Sequence, residues 1–115
     1  MSPDRMRPLF HAAAEPDGGI TVRFPAGTAL TDAHVEAVGR HLTAGRDQVP
    51  VTLDLGAVAG LSSGALGKLL ALDRAVRAAG GRLALANLTA VVSRVFKLTR
   101  LDTVLDVRDA PALSL

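Results

Sequence analysis

The sequence predicts an α/β domain: a mixed β-sheet, made of an N-terminal hairpin and parallel central strands, flanked by helices. Three observations carry that reading. Strand-like runs alternate with stretches of helical periodicity through most of the chain. Two early strand-like runs are joined by a turn-forming cluster. The run VTLDL at 51–55 has the β-branched and Leu-rich character of a central strand covered on both faces. At 115 residues and 49% apolar composition, one core suffices, and it should bury roughly two thirds of the surface the unfolded chain exposes.

The elements follow in order. Residues 8–15 and 19–24 flank Pro16, Asp17 and Gly18, which predicts an antiparallel hairpin. In TDAHVEAVGRHLTAG, Thr31 is placed to cap a helix, Asp32 and Glu36 lie early, and Arg40 and Arg46 lie late. Val35, Val38 and Leu42 share its apolar face, and Gly45 ends it. After VTLDL, residues 57–62 are expected to form a loop. A second helix then runs from about Ser63 to Ala79, with Leu66, Leu69, Leu72, Val76 and Ala79 on the buried arc and Leu70 off it. Lys68, Arg74 and Arg77 point mostly outward, and Asp73 and Arg77 form an acid-first i, i+4 pair.

Gly80 and Gly81 stop that helix, and RLALAN at 82–87 supplies a strand returning parallel to VTLDL through a right-handed crossover. A third helix spans about Thr89 to Leu98, with Thr89 as its cap and Val91, Val92, Val95, Phe96 and Leu98 along it. TVLDV at 103–107 is expected as an edge strand. The domain is assigned to residues 7–109, with 1–6 and 110–115 as flexible termini.

Composition narrows the functions. The pI near 9.9 is offset by a formal charge of only +2. The basic residues are scattered and three Phe stand without Tyr or Trp, so there is no stacking platform and direct nucleic-acid binding is not expected. No run reaches the ~18 apolar residues of a membrane span, and the start lacks a signal-peptide core. The absence of Cys fits a reducing compartment, and a cytoplasmic location is expected.

Ser62 and Ser63 stand where the apolar strand and small-residue segment meet the second helix, on the carboxyl side of a central strand. One hydroxyl is explained as an N-cap, which contributes about 1 kcal/mol. That leaves the other. Free amides and the positive helix end favour an anion, so a phosphate can be added there without unfolding the chain.

The stretches VTLDLGAVAGLSSGALGKLLAL, RAAGGRLALANLT and VFKLTRLDTVLDV together resemble the STAS domain family, specifically the anti-sigma factor antagonists. The resemblance covers about residues 9–107. It implies a mixed sheet flanked by helices, and a binding protein rather than an enzyme, needing no cofactor. It also implies a bacterial partner-switching role: an anti-sigma factor with serine kinase activity phosphorylates a serine at this helix start. Unphosphorylated, such a protein sequesters the kinase and frees the sigma factor.

The family motif commonly reads Asp-Ser, then Ser or Ala, then Gly-Leu. Aligned on Leu66 and Gly67, Ser63 takes the acceptor position with Ser62 as fallback, Ser62 stands where Asp is usual, and Ala65 replaces the usual Gly. Asp54 matches the acidic residue ending the family's central strand. The expected partner face comprises Ala57, Val58, Gly60, Leu61, Ser62, Gly64, Ala65, Lys68 and Leu70. The partner is expected to be the serine-kinase anti-sigma factor, with no membrane contact and a monomer or weak dimer as the state.

The competing constellations are weaker. Asp54 after VTL is reminiscent of a receiver's phosphoacceptor strand, but the acidic pair after a first strand is missing and the chain opens with a hairpin. A solvated or loop-capping Asp54 is the expectation. His11, His34 and His41 lack ligand spacing, GALGK lacks phosphate-loop spacing, and SSG is not a nucleophile elbow. Two other readings remain: a STAS module binding a partner or small anion without phosphorylation, and an enzyme using Ser63 as nucleophile, which requires a neighbouring base.

Overall fold

A computed structural model describes residues 9–16, 18–45 and 49–108. The hairpin forms as expected. Strands β1 (His11–Ala14) and β2 (Ile20–Arg23) pair antiparallel, His11 opposite Arg23 and Ala14 opposite Ile20. Gly18 takes φ +92°, a left-handed turn conformation that glycine adopts without steric cost. Asp17 and the expected flexible termini, 1–6 and 110–115, lie outside the described residues.

Strand β3 (Thr28–Leu30) leads into helix α1 (Asp32–Gly45). Val35 and Val38 are buried and Leu42 is half-buried, so the expected apolar face is the one that packs. Thr31 acts differently from a simple cap. Its N–H donates to Nδ1 of His34 at 3.2 Å, and its hydroxyl lies 3.0 Å from the same atom. The ring three residues on therefore satisfies the first amide, the reciprocal half of a capping box.

Strand β4 (Pro50–Asp54) is central. It pairs parallel with β2 on one side and with β6 (Arg82–Ala86) on the other. Strand β7 (Asp106–Arg108) closes the edge, giving the order β1-β2-β4-β6-β7. The edge strand begins later than the periodicity suggests. Residues 101–103 form a 3-10 turn, and Leu105 is buried just before β7.

The segment expected as a loop contains a strand. Strand β5 (Val58–Leu61) pairs parallel with β3, Ala29 opposite Gly60 and Leu30 opposite Leu61, as a separate two-stranded sheet. Helix α2 (Ser63–Ala78) follows and packs against α1 and β6. Ala65, Leu69 and Leu72 are its buried apolar residues, while Leu66 and Val76 are half-buried. Ala79, expected on that arc, is the exposed C-cap. Gly80 then turns left-handed at φ +90°, and the Gly81 N–H closes on the Val76 carbonyl at 2.9 Å.

Asp73 is only 5% exposed, so its pair with Arg77 at 3.2 Å is not the surface decoration its spacing suggests. Helix α3 (Ala90–Thr99) is capped by Thr89, whose hydroxyl accepts from the Val92 N–H at 3.3 Å and donates to the Val58 carbonyl at 3.3 Å. That second bond ties α3 to β5. The core joins Val22, Leu53 and Leu85 of the sheet to Leu30, Val58, Leu69, Val92 and Phe96, each such side chain contributing about 1.5–3 kcal/mol when fully buried.

Candidate functional site

The two serines are positioned by strand pairing. Asp54 ends β4 and accepts the Gly56 N–H at 3.0 Å through Oδ1, while Oδ2 meets Arg23 Nε at 3.4 Å. Asp54 is thus a loop-capping residue that turns the chain toward β5. Beyond β5 the Ser62 N–H donates to the Leu30 carbonyl at 2.9 Å, fastening Ser62 to the end of β3. At φ −80° and ψ 162° it leaves the helix, and its hydroxyl accepts from the Ala65 N–H at 3.1 Å. Ser62 is the N-cap.

Ser63 is then the first residue of α2, and its side chain is exposed. Among the described residues its hydroxyl has no hydrogen-bond partner, and Ser62's hydroxyl bonds neither a histidine nor a lysine. His34 is occupied with Thr31, His41 lies edge-on to Phe10, and His11 is exposed. The described residues contain no cluster suited to a metal ion.

One juxtaposition near the serines, that of Asp32 with Gly64, was not foreseen from the sequence. A Cβ built on Gly64 would lie 2.8 Å from both carboxylate oxygens of Asp32. Strands β3 and β5 run parallel and each feeds a helix directly, so the starts of α1 and α2 stand side by side. Asp32 at the first turn of α1 therefore reaches the first turn of α2. No local pattern signals this, because it depends on a pairing between residues thirty apart.

The expected partner face divides under this geometry. Ser63 and Gly64 are exposed, and Ala57, Gly60, Leu61 and Ser62 are half-buried. Val58 and Ala65 are 0% exposed and belong to the core, so neither offers a side chain to a partner. Leu70 is half-buried against the core rather than outward. Lys68 turns to α1 and pairs with Glu36 at 2.7 Å. The Glu36 hydrogen bond and charge raise the Lys68 pKa above 10.5, against a small desolvation, and Asp32 adds to the rise. Away from the serines, α1 and α2 bound a cavity of about 810 Å³ lined by Val35, Gly39, Leu42, Ala71, Leu72 and Ala75 among others.

Residues 18–107 match the family model described as "Mlab, STAS domain". The chain belongs to the STAS domain family. No curated protein matches it. Solved structures match over nearly the whole domain. An anti-sigma-factor antagonist (STAS) domain protein from Planctomyces limnophilus aligns with TM-score 0.72 at 20% identity, covering 88% of this chain and 90% of that one. The anti-sigma factor antagonist SpoIIAA in its unphosphorylated form aligns with TM-score 0.70 at 20% identity, covering 88% and 87%. The Bacillus cell fate determinant SpoIIAA in the phosphorylated form aligns with TM-score 0.64 at 19% identity, covering 88% and 90%. At these identities the likeness shows the STAS fold. Among the described residues no helix is long and apolar enough to cross a membrane.

Proposed function

We propose that this STAS domain is an anti-sigma factor antagonist, a cytoplasmic binding module and not an enzyme, switched off by phosphorylation of Ser63. One observation carries the reading: Ser63 is exposed and unbonded at the start of α2 while Ser62 alone serves as the cap. The two hydroxyls have separate jobs. A kinase can take Ser63 without removing the hydrogen bond that begins the helix. The Ser62 hydroxyl is engaged in that bond, which makes it the poorer acceptor.

The partner is an anti-sigma factor with serine kinase activity, docking over Gly60, Leu61, Ser63 and Gly64. Phosphorylation adds about −1.5 to −2 charges at the centre of that face. Asp32 already holds a carboxylate beside Gly64, so the added charge lands in an acidic neighbourhood. Like-charge contact and desolvation across the interface weaken binding by about 100-fold or more while the fold survives.

The test is incubation with a partner-switching serine kinase and ATP, followed by intact mass and binding measurements. One phosphate on wild type and none on Ser63→Ala is expected, with Ser63→Glu binding the kinase far more weakly than Ser63→Ala. Equally tight binding by both variants refutes the switch. One observation favours a second reading, a STAS interaction module that is never phosphorylated: Ser62 occupies the place where the family motif carries Asp. An unmodified mass after kinase treatment, with partner binding retained, selects it.

A further inference from the structure

The outward face of α3 has no role in the reading above. Ala90, Val91, Arg94, Lys97 and Leu98 are all exposed along it. Val91 is 58% and Leu98 77% exposed, and Val104, just beyond the following 3-10 turn, is 55% exposed. These are three of the four large apolar side chains exposed among the described residues. Val91 and Leu98 share one side of α3, with Val104 following soon after in the chain, whereas scattered exposure is the ordinary case.

The charges are equally one-sided. Helix α3 carries no acidic residue. Arg94 and Lys97 make no ion pair among the described residues, a condition they share with Arg74 and Arg82, but here two such cations stand one turn apart beside exposed apolar side chains. Arg100 follows at φ +62°, a left-handed C-cap that favours glycine. The chain keeps a long cation where a side chain is conformationally disfavoured. The platform is held in place, with Val92 and Phe96 buried beneath it and Thr89 bonded to β5 at Val58, the opposite end of that strand from Ser62.

We infer that the outward face of α3 is a second docking surface, which takes an acidic amphipathic helix of a partner protein. Val91 and Leu98 are seven residues apart, two turns or about 10 Å, with Arg94 and Lys97 between them. That order complements a helix bearing apolar residues seven apart with carboxylates between. A second copy of this chain meets the face poorly, since a two-fold contact sets Arg94 and Lys97 against their own equivalents. A bilayer fits less well too, because only Val91 and Leu98 on this short helix are large, apolar and exposed, with no exposed aromatic beside them, and the cations lie along one side of that stripe only. The surface stands independently of phosphorylation at Ser63.

The experiment is an NMR titration of the isotope-labelled full chain at low salt with three probes. These are a synthetic helical peptide with leucines seven apart and glutamates between, the same peptide with lysines for glutamates, and vesicles of phosphatidylglycerol and phosphatidylcholine. The acidic peptide should shift the α3 amides, and R94E/K97E should weaken it by about tenfold or more. V91S/L98S should weaken it too, an effect that charge attraction alone does not produce, and Ser63→Glu should leave it unchanged. Spectral dispersion confirms that each variant is folded. Equal binding of both peptides, shifts away from α3, indifference to either double variant, or binding of vesicles but not peptide each overturns the inference.

Discussion

Replacing Ser62 with alanine removes the only side-chain bond among the described residues at the start of α2, a 3.1 Å contact to the Ala65 N–H. Ala65 is 0% exposed, so water compensates its freed amide poorly. Cap removal typically costs 0.5–2 kcal/mol, and the buried amide puts this case in the upper half, at about 1–2 kcal/mol. With an unfolding entropy of about 2.1 cal/mol/K per residue over the chain, the melting temperature drops by about 4–8 °C. Ser63→Ala removes an unbonded, exposed hydroxyl and should stay within about 0.5 kcal/mol of wild type. Ser62→Asp restores both a cap and the residue usual in the family motif, and should keep wild-type stability. Urea unfolding followed by circular dichroism separates the three. If Ser63→Ala is as destabilising as Ser62→Ala, the division of labour between the hydroxyls is wrong.

Gly64→Ala would ordinarily stabilise a helix by about 0.5–1 kcal/mol, but here the new methyl meets the Asp32 carboxylate. That carboxylate is the free end of an exposed side chain, which can turn aside, so the variant should melt at or slightly above wild type, and the double variant Asp32→Ala, Gly64→Ala should gain little more. A clear loss of stability in a thermal melt of Gly64→Ala would refute this. Arg100→Gly relieves a left-handed conformation at a C-cap and should raise stability by about 0.5–1 kcal/mol in chemical unfolding, while weakening the acidic peptide at α3. Lys68 is held charged by Glu36 with its pKa above the usual 10.5. Because the folded value is the raised one, the pair's contribution is complete below the unfolded pKa and is lost as pH rises through the folded one. The stability gap between wild type and Lys68→Met should therefore be flat from about pH 6 to 9 and close only in strong alkali.

The elements with long periodic runs were legible because burial imposes the period. Val35 and Val38 on α1 and Leu69 and Leu72 on α2 reach the core as their spacing predicts, and VTLDL is central as expected, although Thr52 and Asp54 on its other face are only half-buried. Strands β3 and β5 were not. Three or four residues containing Gly60 and Ala29 show neither alternation nor β-branched enrichment, and their pairing is set by partners thirty residues away. That omission is why Asp32 was read only as a charge at the start of its own helix. Both serines suit an N-cap by type, and the bond from the Ser62 N–H to Leu30 selects between them, a contact visible only once β3 is placed. Asp73 misleads in the opposite way. Its spacing to Arg77 matches an exposed pair, while the chain folds over it.

The small β3–β5 ribbon makes two distant turns of the chain behave as one joint. Inserting or deleting a single residue between Gly56 and Ser62 would slide the serines by about 3.3 Å and turn their side chains to the other side of the strand. Substitutions across that stretch alter its surface, whereas a change in its length dismantles the junction of the two helices.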